Sequence, residues 1–128
     1  MPDVVYFVDR SLGRRVVPEA LRQAGLRVEV HDDHFPPDAS DAEWLRAVGQ
    51  RGWVVLTKDE RIRRRPLERA ALLDAGVRAF VLTARGMSGA DMGQAFVRAR
   101  GSMENLLRRR RQRPFIATVT RRGRVIVK

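Results

Sequence analysis

With 128 residues, 44% of them hydrophobic, and no cysteine, the chain has the length of one domain around one core, and a disulfide framework or a thiolate zinc site is excluded. Its formal net charge of +11 is unevenly spread: residues 1–60 carry 8 Lys/Arg against 11 Asp/Glu (−3), and residues 61–128 carry 18 against 4 (+14). A cationic surface beside an acidic pocket suits a polyanion held by its phosphates. A basic surface in which arginine replaces lysine on solvated faces is the competing explanation.

The first run, Val4-Val5-Tyr6-Phe7-Val8, reads as a fully buried strand closed by Asp9. Residues 14–24 follow at helical spacing and stop at Gly25, and residues 26–30 alternate with period two as a second strand, expected at an edge. Residues 31–39 hold two prolines and three aspartates and read as a loop. Ser40 opens a helix, with Glu43 three residues on in a capping-box pattern, and Gly52 ends it. Residues 53–56 form the third strand, followed by a short basic connection to Pro66 at the first turn of a helix over 67–75. A fourth strand covers 77–82 and a long helix runs from Ser88 to about Arg111, its last turn basic. Residues 115–120 and 124–128 flank a turn and read as a hairpin. Alternating strands and helices imply right-handed βαβ units around a mainly parallel sheet: an α/β, three-layer αβα domain over 1–128, its core about 4–112, with a basic C-terminal hairpin over 115–128. The Met-Pro-Asp start lacks a basic segment followed by an apolar one, and no run approaches membrane-spanning length, so a cytoplasmic protein with no membrane partner is expected.

Asp59 ends the apolar run Val54-Val55-Leu56-Thr57 as Asp9 ends the first, and basic residues follow both. Ligands of open α/β sheets bind beyond the carboxyl ends of the strands, where strand order reverses. If the first and third strands are neighbours, their backbones lie ~4.8 Å apart and the two carboxylates can share a cation. Capping or a salt bridge to Arg10 or Arg14 is the plain explanation of Asp9, and capping of the next helix that of Asp59. Lys58 and Arg61, with Arg10, are suited to phosphates. Asp41 at the helix start ranks ahead of Glu43 as a third ligand, because the capping box already accounts for Glu43. His31 and His34 read as a polar loop, Asp91 as a cap partner of Ser88, and Trp44, Trp53 and Phe80 as core.

The segments Phe7-Val8-Asp9-Arg10-Ser11-Leu12-Gly13, Ser40-Asp41-Ala42-Glu43-Trp44-Leu45 and Leu56-Thr57-Lys58-Asp59-Glu60-Arg61-Ile62 resemble, in order and spacing, the PIN-like nuclease superfamily in its short VapC-toxin-like branch, over roughly residues 4–82. The resemblance implies Mg²⁺- or Mn²⁺-dependent cleavage of RNA by a toxin-type ribonuclease, with Asp9, Asp41 and Asp59 as catalytic metal ligands and Glu43 in reserve. It also implies an antitoxin-like inhibitor and a homodimer as protein partners. Where typical members place a further acid after the fourth strand, this chain has Thr83-Ala84-Arg85. A non-catalytic nucleic-acid-binding protein is therefore the first rival. Receiver and haloacid-dehalogenase sites are disfavoured, because Arg10 and Ser11 stand where further acids would be needed.

Overall fold

The computed structural model describes residues 4–111 and 113–128. The Met-Pro-Asp start and the expected core boundary at Gln112 lie outside the described residues. Six strands form one sheet: β1 (Val5–Val8), β2 (Arg27–Val30), β3 (Val54–Thr57), β4 (Arg78–Leu82), β5 (Phe115–Val119) and β6 (Val125–Val127). Their order is β2-β1-β3-β4-β5-β6, with the first five parallel and β6 antiparallel to β5. The chain leaves β1 for β2 on one side and returns to β3 on the other, so strand order reverses between β1 and β3.

The central strands are apolar along most of their length because both faces are covered. Tyr6, Val8, Val54, Leu56, Phe80 and Leu82 point into one core, beneath α1 (Val16–Gln23) and α5 (Gly89–Arg109). Phe7, Val55, Ala79 and Val81, the intervening residues, point into a second core beneath α2 (Asp41–Gln50) and α4 (Pro66–Asp74). Three layers result, as the strand and helix pattern predicts.

Two elements depart from that pattern. Residues 61–64, read as a basic connection, form a one-turn helix α3 (Arg61–Arg64), because Ile62 between the arginines is fully buried in the second core. The expected hairpin is present, but β5 is buried along its whole length and pairs in parallel with β4, so it is an integral strand of the sheet. His31 also differs from its reading as loop surface: it is 2% exposed, its ring packed beside Phe7, Phe35 and Trp44.

The layer containing α2 and α4 closes tightly over Gly49, where a Cβ would lie 2.1 Å from the carbonyl oxygen of Ala75. A backbone carbonyl cannot swing aside as a side chain can. Gly49→Ala is therefore expected to destabilise by about 1–3 kcal/mol, overriding the ~1 kcal/mol that alanine gains over glycine in a helix. Gly101 in α5 has nothing within 4 Å of its would-be Cβ, so Gly101→Ala should stabilise. Urea denaturation of the two variants checks the opposite signs.

Candidate active site

β1 and β3 are direct neighbours, with Val8 opposite Leu56, and the ladder continues one step as the Asp9 N–H donates to the Leu56 carbonyl at 3.0 Å. Asp9 and Asp59 therefore emerge side by side at the point of strand-order reversal. Thr57 joins them. Its fully buried hydroxyl donates to Asp9 Oδ2 at 2.7 Å and accepts from the Asp59 N–H at 3.0 Å. Ser11 supplies a second donor to the same Asp9 oxygen at 2.9 Å, and its hydroxyl accepts from the Lys58 N–H at 3.1 Å. Asp9 is 7% exposed, and no donor of a described residue occupies its Oδ1. One carboxylate oxygen is thus fixed by hydroxyls while the other is left for an external partner.

Asp59 is held by charge rather than by hydroxyls. Arg61 grips it side-on, with Nε donating to Oδ1 at 2.9 Å and Nη2 to Oδ2 at 2.7 Å, and its backbone N–H adds a bond to Oδ1 at 3.0 Å. The Arg61 guanidinium bond is the main cause that holds the Asp59 carboxyl below the usual range, against an opposing effect of burial, and Asp59 raises Arg61 in return. Because the folded carboxyl is depressed, the pair stabilises the fold above the unfolded pKa of ~3.9 and loses that contribution as pH falls through the lower folded value. The stability difference between wild type and Arg61→Gln should therefore be flat across neutral pH and shrink only in acid below pH ~4, measured by urea denaturation at a series of pH values. A difference that instead changes through neutral pH would mean another group is the partner.

Asp41 opens α2 and accepts from the buried Trp44 Nε1 at 2.9 Å, a bond that ties it to the second core. Its charge also acts on Arg61, so the guanidinium stands in the field of Asp41 as well as Asp59. Ser40 caps the helix by accepting from the Glu43 N–H at 3.2 Å, the Ser40 half of the expected capping box, and Glu43 is exposed. Asp91 is the equivalent partner of Ser88, its N–H bonding the Ser88 hydroxyl at 3.1 Å. Among the described residues no three of His, Cys, Asp and Glu form a ready-made metal-holding group. Thr57 links the Asp9 carboxylate to the Asp59 backbone N–H, whereas Asp41 is linked to Asp59 electrostatically through Arg61.

The basic residues divide into engaged and free. Arg10 contacts Asp32 at 3.3 Å and donates to the Pro37 carbonyl at 2.9 Å, which folds the 31–39 loop back against the end of β1. Arg63 and Arg64 are both held by Glu60, at 2.7 and 3.2 Å. Lys58 is exposed, with no acid paired to its ammonium among the described residues, and with Thr83, Ala84 and Arg85 it lines a cleft of about 240 Å³ beyond β3 and β4. Carboxylate oxygens are the donor type that suits a hard divalent cation, and Arg61 carries the positive charge that compensates Asp59. Ser11 and Thr57 are not singled out by the strand-end pattern that marks the carboxylates. Their signal was the Asp-x-Ser and Thr-x-Asp spacing, which places a hydroxyl two residues from each strand-end carboxylate.

A family model described as a PIN-like domain matches residues 4–84. The chain is 41% identical over 78 residues to the protein named "Putative ribonuclease VapC45" of Mycobacterium tuberculosis. The matched region covers 58% of this chain and 56% of that relative, so the chain spans little more than half the length of the protein it matches. No solved structure matches the chain. The matched segment runs from β1 to just past β4 and contains Asp9, Asp41 and Asp59, and the chain belongs to the PIN-like domain family.

Proposed function

We propose that the carboxylates at the ends of β1 and β3 belong to a divalent-metal nuclease site that cuts RNA, of the toxin type that works with an inhibitory antitoxin-like partner. The observation that carries this reading is the Thr57 hydroxyl, which couples the buried Asp9 carboxylate to the Asp59 backbone at the strand-order reversal. Asp9, Asp59 and Asp41 would hold Mg²⁺ or Mn²⁺, with Glu43 the reserve acid. Such an ion lowers the pKa of a water and offsets charge on the scissile phosphate. Asp9 contributes rigidity, since two hydroxyls fix its orientation and leave Oδ1 outward. Asp59 would hold such an ion only on giving up Arg61, whose guanidinium, like the Lys58 ammonium, is suited to a phosphate. Arg10 can join them only by leaving Asp32. Likeness to a protein named as a ribonuclease supports RNA as the substrate class.

The second reading is a PIN-like protein that binds RNA without cutting it. It is favoured by the lack of a three-acid group among the described residues, and by Thr83-Ala84-Arg85 beyond β4. Incubating the purified protein with a mixed RNA pool separates the two. Cleavage that needs Mg²⁺ or Mn²⁺ and stops on chelation is the expected result; retention of RNA without cleavage in either metal supports the binding protein.

A further inference from the structure

At the opposite end of the sheet lies a cavity of about 720 Å³, framed by the starts of β1, β2 and β4, the turn before β3 and the C-terminal half of α5. Among the described residues six arginines line it against a single acid, Glu104. Helices α1, α2 and α5 end near this rim, and cations suit helix carboxyl ends. Two of the arginines serve in that way: Arg100 donates to the Ala24 carbonyl, and Arg78 Nη2 donates to the Gly52 carbonyl at 3.5 Å. Arg100 is also neutralised by Glu104 at 2.9 Å.

Capping does not account for Tyr6. This side chain lines the same cavity, is 1% exposed, and carries a buried hydroxyl with no hydrogen-bond partner among the described residues. A buried hydroxyl left unpaired is desolvated without a compensating bond, a deficit that an entering acceptor would fill. Burial, and secondarily Glu104, push the phenol up to about 12, so at neutral pH it keeps its proton and can donate a hydrogen bond. Arg78, beside it, is half-buried, and that burial is a desolvation cost which an entering anion would offset. Val4, Leu26 and Leu107 supply apolar wall next to these donors. Guanidinium donors with a phenol O–H at one side and aliphatic wall at the other match a phosphate joined to a flat, weakly polar ring.

We propose that this cavity binds a free nucleotide, its phosphates held by Arg78 and Arg111 with the Tyr6 hydroxyl donating to a phosphate oxygen, and its base against Leu26 and Leu107. The cavity volume lies within the ~300–1,000 Å³ common for small-molecule sites. The site is separate from the carboxylate cleft, since Tyr6 and Asp9 are three strand positions apart, ~10 Å along β1.

The test is calorimetric titration of the intact protein with ATP in the presence of EDTA, with pyrophosphate and a short single-stranded RNA as comparison probes. ATP should bind more tightly than pyrophosphate. Arg78→Gln and Arg111→Gln should each weaken ATP by ~10-fold, as expected for loss of a charge-assisted bond, while Asp59→Asn leaves it unchanged. Tyr6→Phe should weaken ATP by a smaller factor without lowering thermal stability, because it removes an unpaired hydroxyl and keeps the ring. Circular dichroism confirms folding of each variant, and Arg111 is exposed, so its replacement leaves the core intact. The proposal is overturned if ATP does not bind, if pyrophosphate binds equally well, if only the RNA binds, if both arginine variants bind ATP like wild type, or if Asp59→Asn weakens ATP as Arg78→Gln does.

Discussion

Asp59→Asn and Asp9→Asn are each expected to reduce RNA cleavage by about 10²–10³-fold or more, the loss of several kcal/mol of metal-assisted stabilisation. Both carboxylates end buried strands, so the sheet itself positions them, and neutralising either removes charge from the ion that the proposed site would hold. Asp41→Asn should also be severe, though part of its effect will be structural through the 2.9 Å bond from Trp44. Glu43→Gln should change the rate little, because Glu43 is exposed and its backbone N–H is what Ser40 caps. The measurement is cleavage rate for the four variants at saturating Mg²⁺ or Mn²⁺, with folding checked by circular dichroism. Wild-type activity in Asp59→Asn would remove the metal-site reading altogether.

Phe7→Ala is expected to cost about 3–5 kcal/mol, the upper range for a large-to-small change in a core. Phe7 is fully buried on the central strand, with Trp44 stacked at 5.4 Å between ring centroids, Phe35 edge-on at 5.9 Å and Trp53 at 6.1 Å. His31 completes the group at 6.0 Å. This cluster joins β1 to the 31–39 loop and to the helix that presents Asp41, so the cavity should loosen the site as well as the fold. Phe7→Leu, which keeps most of the volume, should cost under ~1.5 kcal/mol. Urea denaturation with an unchanged m-value is the check. Equal costs for the two variants would show that the ring contacts, and not the filled space, carry the stabilisation.

Local signals in the chain were enough to reveal the layered α/β plan. Uninterrupted apolar runs mark strands covered on both faces, and Gly25, Gly52 and Gly76, all at positive φ, mark where helices must stop. The same local logic marked Asp9 and Asp59 as strand-end acids and assigned Ser40, Glu43, Ser88 and Asp91 to caps, because capping is decided within four residues. What local pattern could not reach was pairing across the sheet. Ser11 and Thr57 lie 46 positions apart, and only β1–β3 adjacency puts their oxygens at 3.1 Å and turns two unremarkable hydroxyls into the support of Asp9. Arg61 was legible as a cation, yet its side-on grip of Asp59 depends on the turn of α3, which forms because Ile62 finds the second core. His31 was assigned to a loop by its neighbours and to the interior by Phe7 and Trp44, residues distant in sequence. The cavity around Tyr6 is the same case in reverse: the apolar run and the arginines were individually visible, but an unpaired phenol among guanidinium groups exists only once β1, β2, β4 and α5 converge. Period and composition act over one or two turns of chain and so determine elements and caps; burial and hydrogen-bond completion act between elements, and the tertiary structure alone decided those.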